Sequence, residues 1–330
     1  MKRLLLRLLL AGAVALPTSA GGVAGGAAWN GPATRFDLKG PGVPSLVVDG
    51  VALPATWFTG GPYNLYLNDG VQVSKPITRS QRVAWEVAVQ AAAKTGLRVF
   101  EPLLGQWQLE PTQSADGVLP STKALLDAGI AAQPEAVFIL RIHMAPMNVS
   151  HMYAWAAGGR PLKDLGPGRP TPADPAWVPQ ATDGLIPFLL KLDSLYPGRI
   201  AGICMGGLQA GTWIQPQPLG NSDYSNESRR VFCEAMASTS ADCALPTPPE
   251  RNVVRTGSSF VCGRDYDTQA QRAVVFNMLH NDMTTEVMVR MAEAVKAATS
   301  NKLMVMSFYG AVLAGSYPDR FAGNLGSFGY

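Results

Sequence analysis

Thr122-Lys-Ala-Leu-Leu-Asp-Ala-Gly-Ile-Ala-Ala-Gln-Pro-Glu-Ala-Val-Phe-Ile-Leu-Arg-Ile-His-Met144 contains the fold in miniature. Thr122 to Gln133 has a helical pattern, and Ala136 to Met144 is an apolar run of strand length. The same phrase recurs along the chain. Strand-like runs stand at Ala55 to Thr59, Leu97 to Leu104, Ala136 to Met144, Ile200 to Leu208 and Leu303 to Tyr309. Helical patterns lie between them: Arg79 to Thr95, stopped by Gly96; Thr122 to Gln133; Pro179 to Tyr196, stopped by Pro197-Gly198; and Gln269 to Thr299. Repeated strand-then-helix units imply a parallel sheet with its helices outside, so the expected class is α/β. Ahead of these units, Pro44 to Pro54 carries two short apolar runs around Asp49-Gly50, the signal of a tight β-hairpin.

The chain opens on Met1 to Ala20, with Lys2, Arg3 and Arg7 around a leucine-rich run that reaches Thr18-Ser19-Ala20. This has the three parts of a signal peptide, and its apolar run is too short to serve as a membrane anchor. The expected location is therefore secreted or periplasmic. Gly21 to Val43 reads as a flexible lead-in and 44–330 as the folded unit. Cleavage after Ala20 would leave 24 basic and 24 acidic residues. A neutral chain without a basic run lacks the electrostatic footprint of nucleic-acid binding.

The four cysteines, Cys204, Cys233, Cys243 and Cys262, show no metal-ligand spacing, and neither a metal nor a cofactor is expected. In an exported chain a disulfide is expected within Cys233, Cys243 and Cys262, while Cys204, in an apolar strand, reads as a buried free thiol. Two long loops, Ala145 to Val178 and Trp213 to Arg264, follow strands. Loops of this length after strands point to a binding face.

Candidate chemistry gathers at the strand ends. Arg98-Val-Phe-Glu101-Pro-Leu-Leu-Gly-Gln-Trp107 puts a carboxylate at the end of the second run, where it would bind hydroxyls, carry protons, or serve as a structural ion-pair partner. Arg141 and His143 alternate onto one side of the third run. A lone histidine is more often a structural hydrogen-bonder than a catalyst, and no serine elbow or zinc-protease motif stands near it. Asp223, Glu227 and Glu234 lie in the second long loop, where acids are usually solvated, and Asp265 and Asp267, just after it, read the same way. Trp107, Trp155, Trp177 and Trp213 lie in or beside post-strand loops, suited either to stacking on sugar rings or to loop packing.

The fourth run continues Gly206-Gly-Leu-Gln-Ala-Gly-Thr-Trp213, and the fifth reads Ala297-Ala-Thr-Ser-Asn-Lys-Leu-Met-Val-Met-Ser-Phe-Tyr-Gly310. With the opening hairpin Leu46 to Pro54, these stretches resemble barrel glycosidases similar to the family 42 β-galactosidases. The resemblance implies a (β/α)8 barrel of which this chain supplies the first five βα units. It also implies a carbohydrate ligand, and a sugar subsite lined by Glu101, Arg141, His143, Gln209, Trp213 and Tyr309. Thr212 stands where the resemblance places the acid/base glutamate, and threonine cannot protonate a glycosidic oxygen at neutral pH. Retaining hydrolysis needs two carboxyl groups about 5 Å apart. The second, at the end of a seventh strand, would lie beyond Tyr330. A fragment, a homo-oligomer that completes the barrel, and a degenerate copy are the three expectations consistent with this. The competing functional reading is an inactive sugar-binding or degenerate barrel protein.

Overall fold

The computed structural model describes residues 28–38, 44–60, 79–106, 114–144, 171–206, 223–236, 243–247 and 268–307. A small antiparallel sheet comes first, formed by β1 (Thr34–Asp37), β2 (Ser45–Val48) and β3 (Val51–Pro54). β2 and β3 are the expected hairpin. Asp49 and Gly50 both take positive φ, 47° and 81°, the backbone that a two-residue turn between right-twisted strands requires. β1 was not expected. The chain joins the fold before Pro44, because Phe36 and Arg35 pair with Leu46 and Val47, and the indole of Trp29 is buried in the main core.

A five-stranded parallel sheet follows: β4 (Phe58–Gly60), β5 (Val99–Gln106), β6 (Val137–His143), β7 (Ile200–Gly206) and β8 (Met304–Ser307), in sequential order. Four helices connect or precede its strands: α1 (Arg79–Ala93), α2 (Ser114–Ala132), α3 (Trp177–Leu195) and the long α5 (Thr268–Ala298). A short α4 (Asn226–Ala235) lies inside the second long loop. Sequential strand order without a reversal makes this a singly wound sheet, unlike the doubly wound sheets whose order reverses at the ligand crevice. Among the described residues β4 and β8 are its edges.

Strand alternation explains the two faces. Phe100, Leu104, Phe138, Leu140, Ile142, Ile203 and Met205 point one way and are buried under α1, α2, α3 and α5 through Trp85, Leu125, Phe188, Leu189 and Met291. Val99, Val137, Ile139, Ala201, Cys204 and Met304 point the other way and pack on Leu46, Val48 and Leu53 of the small sheet, a register irregularity at the start of β7 letting Ala201 and Cys204, three apart, share that face. One face is thus wholly helical. The small sheet covers the opposite face near the strand starts, and Thr34 donates its N–H to the Lys302 carbonyl at 2.8 Å just before β8.

Close packing sets one residue choice here. A Cβ on Gly129 of α2 would lie 2.6 Å from the Phe138 ring, so α2 approaches β6 only because that position is glycine. α2 begins eight residues before the expected Thr122 and runs through Pro120. No helix among the described residues is long and apolar enough to cross a membrane.

Candidate functional site

Glu101 lies on the face opposite the helices. It occupies the third position of the eight-residue β5, in register with Thr59 of β4. The sequence suggests a strand-end carboxylate at the rim; the strand continues to Gln106, so Glu101 lies deeper, one alternation beyond Val99. Pro102 follows it, and the register of β5 against β6 shifts between Leu103 and Gln106, immediately beyond the carboxylate. Such irregularities re-aim side chains, and they collect beside functional sites.

Glu101 is 0% exposed. Its Oε2 accepts two hydrogen bonds, from Trp57 Nε1 at 2.8 Å and from Thr59 Oγ1 at 2.6 Å. Its Oε1 is buried and has no hydrogen-bond partner among the described residues. Trp57 is half-buried, tilted against Phe36 at 6.3 Å between ring centroids, and Thr59 is exposed. Glu101 therefore sits one side chain beneath the surface, in a setting that orients one oxygen and leaves the other for a further donor.

Arg141 lies on the same face of the neighbouring strand, paired in register with Leu103 of β5 and Cys204 of β7, and is half-buried. His143 is the last residue of β6, in register with Gln106 and Gly206, two positions beyond Arg141. Glu101 and Arg141 thus lie on one face of adjacent strands, and the backbone of His143 stands two positions beyond Arg141. Thr212, Gln209, Trp213 and Tyr309 lie outside the described residues, as do Trp107, Trp155, Asp265, Asp267 and Cys262. Trp57 and Thr59 were missed. Their signal was a tryptophan and a threonine two residues apart at the first strand, a spacing that puts both side chains on one face.

Two expectations are corrected. Trp177 does not face a sugar: it is fully buried in the helical core, and its Nε1 donates to the Met144 carbonyl at 2.9 Å. Asp223 is not a solvated loop acid. It is 0% exposed at the centre of a polar knot. Its Oδ2 accepts from Ser228 Oγ at 2.6 Å and Thr171 Oγ1 at 3.0 Å and lies 3.4 Å from His280 Nε2, while its Oδ1 accepts from Ser225 Oγ at 2.9 Å. Burial by itself raises the Asp223 pKa; the hydrogen bond and charge of His280, with the Ser228 and Ser225 hydroxyls, outweigh it and hold the carboxyl below its ordinary value. Of the other acids expected to be solvated, two lie among the described residues: Glu234 is exposed and pairs with Arg230 at 2.7 Å, and Glu227 sits in the first turn of α4.

The knot has a local logic. Ser225 caps α4 by accepting from the Ser228 N–H, so one serine serves helix and aspartate together. His280 was overlooked, although a signal existed. Ala273, Phe276, His280, Thr284, Val287, Met291 and Val295 form one buried stripe at spacings of three and four. A histidine on such a stripe demands a buried partner. Next to the knot, Cys233 and Cys243 form a disulfide, as expected within that trio, and Cys204 is a buried free thiol.

No family profile and no curated protein sequence matches the chain. Among solved structures, it is similar to the β-galactosidase of the psychrophilic Marinomonas ef1, at 10% identity and a TM-score of 0.45, covering 76% of this chain. The chain spans 36% of that protein.

Proposed function

We propose that this chain is a carbohydrate-active protein of β-glycosidase type, built on the first units of a (β/α)8 barrel and taking a β-galactoside-like sugar at the face that bears Glu101 and Arg141. The supporting observation is the placement of a buried carboxylate and a half-buried guanidinium on adjacent strands of the sheet face opposite the four described helices. In barrels of such units, sites are built at the C-terminal ends of the strands from the loops that follow them. A carboxylate accepts from hydroxyls and a guanidinium donates to them, so together they match a ring that presents both kinds of group. The segments that carry His143, Gln209, Trp213 and Tyr309 follow or end strands of the same sheet, and these residues complete the proposed subsite. The Cys233–Cys243 disulfide is consistent with export to a secreted or periplasmic location.

Thr212 favours a second reading, sugar binding without hydrolysis, because its hydroxyl cannot act as the acid that glycosidic cleavage requires. Titration calorimetry with galactose and a β-galactoside, alongside an aryl β-galactoside assay, tests both. Saturable binding is expected. Hydrolysis above background supports an enzyme, and binding without hydrolysis supports the second reading. No heat of binding with any neutral monosaccharide at millimolar concentration would overturn the carbohydrate assignment.

A further inference from the structure

A buried carboxylate held only for structural reasons spreads its donors over both oxygens, because an unpaired buried oxygen is unfavourable. Two buried carboxylates among the described residues depart from this, Glu101 and Asp193 of α3, and Glu101 is the one on the sheet face that bears Arg141. Trp57 and Thr59 both donate to Oε2, and Oε1 receives nothing. The apolar residues grouped on the same face near the strand starts, Val99, Val137 and Ile139, offer no donor. The two donors approach from the segment leading into and forming β4, an edge of the sheet among the described residues, and the outer one, Thr59, is exposed.

We infer that Glu101 Oε1 is the specificity-determining acceptor for one ring hydroxyl of the ligand, and that Trp57 and Thr59 are positioning residues that hold Oε2 so that Oε1 faces the incoming group past Thr59. This rests on the carbohydrate reading above and adds a requirement to it: at one position the ligand must donate a hydrogen bond. A hydroxyl meets the requirement and a fluorine cannot, whereas a site of donors alone would tolerate the exchange far better. Thr59 would set the carboxylate's orientation without touching sugar.

The test measures binding of galactose and of its singly fluorinated analogues to the full chain. In the wild type one fluorinated position should lose at least about tenfold in affinity, the worth of a hydrogen bond to a charged acceptor. Glu101→Gln keeps an oxygen for Trp57 and Thr59 but turns an N–H₂ toward the ligand, so the discrimination at that position should fall to about threefold or less. Thr59→Val should weaken the discrimination at the same position, and Thr59→Ser should restore it. Circular dichroism identifies a variant that fails to fold, in which case the Thr59 pair decides. Discrimination unchanged in Glu101→Gln and in Thr59→Val would overturn the inference while leaving the carbohydrate reading intact. A wild-type chain that binds no sugar would overturn both.

Discussion

Glu101 and Asp223 are both carboxylates removed from water, and they are held in opposite ways. Asp223 has partners on both oxygens: three hydroxyls from two separate segments and the imidazole of α5. Glu101 has two donors crowded on one oxygen and none on the other. A satisfied buried charge is a structural fastener, since every donor around it loses its partner when it goes. A half-satisfied one is a standing cost to the fold, and such costs persist where a ligand interaction depends on them. The contrast separates a carboxylate whose partners all lie within the fold from one that keeps an oxygen open to a further donor.

Breaking the fastener should produce the largest effect. Asp223→Ala strands Thr171, Ser225, Ser228 and His280 in a buried pocket and should lower the unfolding free energy by about 3–5 kcal/mol in a denaturant titration. A loss below about 1 kcal/mol would mean that the knot is not a fastener. The same carboxylate predicts a pH dependence. Its pKa is lower in the folded state than its ordinary 3.8, so its contribution is fully present above that value and is lost as pH falls through the lower, folded one. Unfolding free energies of wild type and Asp223→Asn should therefore converge in acid below 3.8 and stay apart at neutral pH.

The disulfide beside the knot comes next. Cys233 and Cys243 are ten positions apart. Replacing both by serine should cost about 2–3 kcal/mol by the chain-entropy account, with hydrogen exchange rising first in α4. Sugar binding should stay unchanged, because α4 packs on α5 through Phe232 and Phe276, away from Glu101.

Glu101→Gln sharpens the comparison from the other side. It removes a buried charge that lacks one partner, so thermal or chemical unfolding should show a change within about 1 kcal/mol, or a gain, alongside the altered sugar discrimination. A large destabilisation would make Glu101 a second fastener and erase the distinction. The smallest effect belongs to Glu234→Ala. Its partner Arg230 and Glu234 itself are more than half exposed, at 57% and 63%, so the pair should contribute less than about 1 kcal/mol.

Parallel strands between helices, and the hairpin at Asp49-Gly50, were legible because each rests on local chemistry. Buried strands are continuous apolar runs, amphipathic helices repeat at three and four, and an Asp-Gly pair accepts positive φ. Alternation along one strand made the common parity of Arg141 and His143 legible, whereas the face that Glu101 shares with Arg141 depends on the register of β5 against β6. α4 escaped notice because its ten residues, though amphipathic, are mostly polar and sit inside a long loop, and Ser225 three positions before Ser228 was its capping sign. β1 escaped notice because a four-residue strand is defined by its pairing with β2, a contact made across the 39–43 segment.

By itself, then, the order of residues determined the α/β class, the succession of parallel strands, the hairpin turn, the buried thiol of Cys204 and the trio within which a disulfide forms. All of these follow from patterns within a short window of chain. Only the tertiary structure decided that Asp223 meets His280, that Trp177 is core, and that Trp57 and Thr59 share one oxygen of Glu101. The partners in these contacts lie 57, 33, 44 and 42 residues apart. Side chains that far apart in sequence meet only through packing, and whether a buried polar atom ends with a partner or without one is a property of that packing alone.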